Sequence, residues 1–309
     1  MTVRLVDSVV LIGQAGDRLD LSVGAPDTEG WVLGAPSTGA LEGWWEPPAP
    51  RVESVARPQA DGAFAPYQLL VGARIVTITV NHIAKDAASE ARARALIARL
   101  CRGWLRLVVV EAGHVSHVNG FVSAQVKAHH IAGVASTWSI VMTCPDPLKY
   151  EGDGGGLDGS LEGWQSVSGI WSKQGEGGLL FDLFDQAPRD DVKTTLSATM
   201  LFTGGVSSSL TVVNKGSADT WPVLEVSGPV GTASWTLGDH TVTWGLPVPA
   251  GQLLRINTQD GMITLGGARI DQSGLIRDGF FALPPGQSNV SVEADEPARF
   301  AVRWLNAWI

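Results

Sequence analysis

The stretch CPDPLKY, residues 144–150, divides the chain. Pro145 and Pro147 each fix a backbone angle and donate no amide hydrogen, so no regular ladder runs through them. Leu148 and Tyr150 offer apolar anchors just beyond. The reading is a pinned corner: a strand ends at Cys144, and a differently built region begins after Tyr150. That region opens on EGDGGGLDGSLEG (151–163), glycine-rich and acidic, as in a loop or hairpin tip.

Working upstream, ASTWSIVMTC (135–144) and LRLVVVEAG (105–113) read as strongly apolar strands, and GFVSAQVKAHHI as further strand. RIVTITVNHI (74–83) alternates cleanly: Val76, Ile78 and Val80 point one way, Ile75, Thr77 and Thr79 the other. Between these strands lies one helical pattern, Ser89 to Cys101, with Asp86 or Ser89 as its cap and Gly103 as its stop. Leu96, Ile97 and Leu100 gather on one face with Ala93 nearby, while Arg92, Arg94, Arg99 and Arg102 lie mostly elsewhere. An amphipathic helix lying across a sheet accounts for this, and its arginines could meet acids on a neighbouring subunit. VRLVDSVVLI, LDLSVG and WVLGAP are shorter strands near the start. Residues 41–66 carry prolines at 47, 48, 50, 58 and 66 and make an irregular, exposed excursion. Trp44 and Trp45, being adjacent, cannot both face one side of a strand, so one is free to reach a partner. Strands outnumber helices and no βαβ repeat appears, so residues 1–150 are expected to form a β-rich α+β domain with one main helix.

Downstream, no convincing helix occurs. TTLSATMLFT, SLTVVN, WPVLEVSG, TASWTLG, HTVTWGL, LLRINTQ, MITLG, SNVSVEAD and ARFAVRWLNAWI are strand-like, with turns such as NKGS, LGDH and TQDG between them. Evenly spaced short strands of this kind predict a β-sandwich over residues 151–309. Phe300, Val302 and Trp304 share one face of its last strand.

The chain has 309 residues and a formal charge of -9. Residues 1–150 hold 13 basic and 13 acidic residues, whereas 151–309 hold 9 basic and 18 acidic, so the second region carries all of the excess. That balance argues against sequence-specific nucleic-acid binding, for which ERARARALIARLCRGWLR is the only basic stretch on offer. Cys101 and Cys144 lie in no metal-binding spacing; a buried free thiol fits Cys101, and a disulfide between the two stays open. The apolar patch near the N-terminus is broken by Asp7 and Gly13 and lacks a leader-peptide core, and no later stretch is long enough to cross a bilayer. The expectation is a soluble protein made in a cytoplasm, with no stable membrane insertion.

Chemistry is hard to place. His114 and His117 sit in an expected hairpin turn, and the adjacent His129 and His130 face opposite sides of a strand, so ordinary surface or edge histidines fit better than a metal site. No G-x-S-x-G elbow or phosphate cradle occurs, and Glu225, Asp239, Asp260 and Asp271 are scattered. The reading is a non-enzyme with no catalytic, cofactor-binding or metal residue assigned and no cofactor. Trp221, Trp235 and Trp244 offer one alternative, a carbohydrate-binding module at the bacterial surface, if an indole is exposed to stack on a sugar; packing within the sandwich is the competing role.

Taken in order, several segments resemble the distal tail proteins of long, non-contractile-tailed bacteriophages. The aromatic-ended Asp-Pro corner of CPDPLKY is one. VVNKGSADTWPVLEVSGPV, LRINTQDGMITL and the closing FFALPPGQSNVSVEADEPARFAVRWLNAW are others, and together they cover nearly the whole chain. The resemblance implies a galectin-like C-terminal sandwich and a ring of six subunits at the virion tail tip. Such a ring joins the tail tube to the hub or fibre-bearing baseplate, with a tape-measure contact a further option. The corresponding helix would be Ser89 to Cys101 and the hinge Pro145 to Tyr150, with exposed tryptophans near 31–45 as anchors for tube or hub. No catalytic residue carries over, because the family's role is architectural.

Overall fold

A computed structural model describes residues 6–22, 29–34, 40–52, 55–65, 69–131, 134–154, 161, 163–172 and 209–309. The expected strand TTLSATMLFT and most of residues 151–191 lie outside these residues. The chain divides into two compact units. The first comprises Met1–Trp164 with Gly216–Ala218 and Leu305–Ile309; the second comprises Gln165–Lys215 and Asp219–Trp304.

The first unit is built on an 11-stranded sheet. Its order is Lys127–Ile131, Ala135–Cys144, Arg74–Ile83, Gly30–Leu33, Arg18–Ser22, Ser8–Gly13, Trp104–Glu111, His114–Val122, Lys149–Glu151 and Ala307–Trp308, with Leu41–Glu42 paired beside Arg74–Ile83. Ala135–Cys144 also pairs with His114–Val122, through Met142↔Val122 and Thr143↔Phe121. Seven strands thus close on themselves, where the sequence predicted a simple layer. Closure suits these segments because each buries one face continuously: Val76, Ile78 and Val80 face the core together with Trp138, Ile140 and Met142. The expected alternation of 74–83 is what the structure has.

The helix is Ala87–Leu100. It starts two residues before the expected Ser89, because Asp86 is the cap and accepts from the Ser89 backbone N–H at 2.7 Å. Ile97 and Leu100 are buried in the same core as the strands, and Ala93 is buried beside them on the helix. Cys101 closes the helix, and Gly103, at φ 108°, turns the chain into the next strand.

The second unit has two antiparallel sheets. One runs Gln165–Trp171, Ala298–Trp304, Val223–Ser227, Leu253–Asn257, Ile263–Leu265, Ala268–Ile270. The other runs Ser209–Asn214, Gly286–Ala294, Ala233–Leu237, His240–Trp244, Leu275–Asp278. Leu224, Val226 and Val302 of the first sheet share one core with Trp235, Val242 and Val290 of the second. Phe300 meets the Trp235 ring edge-on, 5.3 Å between centroids. The sequence ARFAVRWLNAWI, read as one strand, is two: Ala298–Trp304 belongs to the second unit, and Ala307–Trp308 adds to the sheet of the first.

Candidate functional site

The corner that divides the sequence is fastened by its own side chains. Asp146 accepts from the Leu148 backbone N–H at 3.0 Å and from the Tyr150 hydroxyl at 2.7 Å. One carboxylate therefore closes the turn and fixes the aromatic that ends it. Lys149 and Tyr150 then pair with Trp308 and Ala307, and Tyr150 also pairs with His117.

Behind the corner stands a residue that sequence reasoning missed. Arg74 is 1% exposed. Its Nε donates to the Pro147 carbonyl at 2.8 Å, and its Nη1 reaches the carbonyls of Gly43, Trp44 and Glu46 at 2.9, 3.2 and 2.9 Å. One guanidinium thus ties the corner to the start of the proline-rich excursion. Carbonyls that no ladder could satisfy find a donor there. Burial lowers the pKa of this guanidinium. Gly43 is required beside it: it sits at φ 82°, and a Cβ would lie 1.9 Å from the Ile75 carbonyl oxygen.

The tryptophan pair divides as its adjacency required. Trp44 is buried and Trp45 exposed, yet both indoles donate to one carboxylate, Glu111, at 3.1 and 2.6 Å. Lys149 lies over the Trp44 ring, 4.8 Å from its centroid. Trp44 is thus part of the core, and the exposed apolar side chains lie farther along. Trp45, Val52, Val55, Phe64, Leu69, Leu70, Val71 and Ile75 are all exposed. They sit on or beside a thin arm in which Pro50–Arg51 pairs with Leu70–Val71 and Ala56 bridges Ala63.

The helix carries exposed Arg92, Arg94 and Arg99, the last paired with Asp17 at 3.0 Å. In its first turn Glu90, 5% exposed, accepts from His82 Nδ1 at 3.0 Å and from the Ser136 hydroxyl at 3.3 Å. His130 Nδ1 lies 3.1 Å from its other oxygen, without hydrogen-bond alignment. Burial acts to raise the Glu90 pKa, but these partners outweigh it and hold the carboxyl below its usual range. A cavity of about 420 Å³ opens beside the helix, lined by Trp31, His82, Ser89, Arg92 and Leu96 among others.

The remaining expected residues do not converge. His114 begins a strand, and His117 lies within it, buried, because the turn falls at Ala112–Gly113. Its Nδ1 donates to the Gly152 carbonyl at 2.8 Å, and burial pushes its pKa down to about 4. His129 and His130 are on an exposed edge strand. Among the described residues no group of three His, Cys, Asp or Glu is placed to hold a metal. Cys101 and Cys144 are free thiols, pushed up to about 11 and about 12 by burial. Trp235 and Trp244 are in the core, with no partner for either indole N–H among the described residues, and Trp221 is half-buried. Two of the three candidate stacking tryptophans therefore offer no face to a sugar.

No protein-family model and no curated protein matches the chain. Solved structures do. Over 97% of this chain and 99% of the other, the fold matches the Dit protein (gp 19.1) of phage SPP1, with a TM-score of 0.59 and 12% identity. That protein is described as a paradigm of the hub adsorption apparatus in phages infecting Gram-positive bacteria. A chain of the phage p2 baseplate in its activated, strontium-bound conformation matches over 96% of this chain and 97% of its own length, with a TM-score of 0.52 and 8% identity. The fold is thus matched over nearly the whole of each chain, and the fold of this protein is the distal-tail, baseplate-hub fold typical of siphophage tail-tip connectors.

Proposed function

We propose that the chain is a structural connector at the tip of a phage tail, linking the tail tube to the hub or baseplate. The observation that carries this is the end-to-end fold match with the SPP1 Dit protein. On this reading the protein is made in the host cytoplasm and works as part of the virion, without catalysis or a cofactor. It assembles as a ring of six copies, residues 1–150 forming the ring and 151–309 an outward platform, with the tape-measure protein a further contact. The shared core of the two sheets in the second unit supports a galectin-like sandwich as that platform.

The arm between Pro50 and Val71 supplies the assembly chemistry. A two-stranded ribbon has no core of its own, and this one exposes Val52, Val55, Phe64, Leu69 and Leu70. Clustered exposed apolar side chains of this kind mark an interaction surface. A closed ring gives each arm a neighbour and leaves no unsatisfied face.

Light scattering and electron microscopy of the purified protein, alone and co-expressed with its tail-tube and hub neighbours, test this. Closed rings with a central opening are expected in at least one preparation. The double substitution Val55→Glu, Leu69→Glu is expected to abolish them while leaving the circular dichroism unchanged. Monomers in every preparation would sink the connector reading.

A further inference from the structure

The six-stranded sheet of the second unit contains four arginines and a single acid in its strands: Arg255, Arg269, Arg299 and Arg303 against Glu225. Elsewhere in residues 151–309 there are 17 acids against 5 basic residues. The strands of this sheet therefore carry a net positive charge in an otherwise acidic region.

Register places it on one face. Leu224, Val226, Leu254, Ile256, Phe300 and Val302 point into the core, so their strand neighbours point out. Across the outer face runs the row Ser168, Ala301, Glu225, Arg255, Thr264, Arg269, each paired with the next. Beside it run Ser166, Arg303, Val223 and Asn257 on one flank, and Ile170, Arg299, Ser227 and Leu253 on the other. Apart from the arginines and Glu225, the face is mostly small or neutral polar side chains.

Glu225 faces outward yet is only 4% exposed, because two guanidiniums cover it. Arg255 Nε donates to one carboxylate oxygen at 2.7 Å and Arg303 Nε to the other at 2.9 Å. The carboxylate anchors both side chains and neutralises one charge. Among the described residues the terminal amines of Arg255 and Arg303 have no further partner, and Arg269 and Arg299 pair with no acid. Guanidinium forks held in this way read carboxylates well.

We propose that this sheet face docks an acidic segment of a partner protein. A local acidic segment fits better than a long polyanion, because a polymer extending past this face would meet the acidic remainder of the region. The inference stands apart from ring formation and is read on whatever oligomer the full chain forms.

The test uses fluorescein-labelled octaglutamate and fluorescence anisotropy at low ionic strength. Wild-type protein is expected to bind the peptide saturably, and Arg269→Glu with Arg299→Glu to weaken binding about tenfold or more. Those two residues leave the Glu225 fork intact, so the fold is not at issue; an unchanged near-ultraviolet circular dichroism spectrum checks it. Arg277→Glu, on the other sheet, is expected to leave binding unchanged. No saturable binding by wild type, equal binding by the double variant, or equal loss in Arg277→Glu overturns the proposal. An inorganic polyphosphate of matched charge that binds more tightly than the peptide would assign the face to a phosphate polymer and overturn it as well.

Discussion

The two units bury different chemistry. The first buries Arg74, His82, Glu90, Arg106 and His117, whereas among the described residues of the second only Glu225 is a buried charged side chain, on its outer face. Its core is filled by Trp235, Trp244, Phe300 and aliphatic side chains. The first unit has irregular crossings to stitch, at the corner and at the Trp44 excursion, and stray carbonyls there need donors. The second is made of regular antiparallel strands that satisfy one another. Buried charge fixes a particular geometry, and removing one member leaves its partners stranded. A hydrophobic core is indifferent to pH. The first unit should therefore be the one that single polar substitutions and acid can open.

The largest effect is expected for Arg74→Met. Four carbonyls lose their donor, and the cost to the first unit should be about 3 kcal/mol or more. Hydrogen exchange by mass spectrometry should show lost protection around residues 43–46 and 144–150, with the strands of the second unit unchanged. Equal loss in both would erase the contrast drawn here.

Acid sharpens it next. His117 is held neutral, its pKa lowered to about 4 from an ordinary value of about 6.5. The unfolded chain binds this proton first. Stability from this group is thus fully present above the unfolded value and declines as pH falls towards the folded one, by up to about 3 kcal/mol. Denaturant midpoints between pH 7 and pH 4 should fall in the first unit and much less in His117→Gln; an identical slope in the variant would remove His117 as the cause.

The smallest effect is at the corner. Tyr150→Phe deletes one hydrogen bond to Asp146 and keeps the ring, so about 1 kcal/mol is expected. Thermal unfolding would show it. A shift as large as that of Arg74→Met would mean the corner, rather than the guanidinium behind it, holds the excursion.

Local pattern made part of this readable from sequence. The alternation of residues 74–83 predicted its buried face, the adjacency of Trp44 and Trp45 predicted their divergence, and Asp86 was a recognisable cap. Arg74 was not readable, because it looks like a polar residue leading a strand and its partners lie 28 to 73 positions away. AGHVSHVNG reads as one hairpin turn, but the turn is confined to Ala112–Gly113 and His117 is the fourth residue of the strand His114–Val122. The exposed arm was legible as irregular from its prolines, but which side chains it leaves bare depends on what the rest of the chain fails to cover. The arginine face needed register: its four arginines come from three strands spread over residues 253 to 304, and no local window contains them all.

The strand Ala307–Trp308 gives the molecule an order in time. It lies beside Lys149–Tyr150, with Asn306 bonded to Glu151 and Trp308 edge-on to His114. A nascent chain that has emerged only as far as the second unit therefore carries an open sheet edge in its first. Translation of the residues beyond 304, later than everything the second unit needs, completes the first unit, so the region made earliest is the last to be finished.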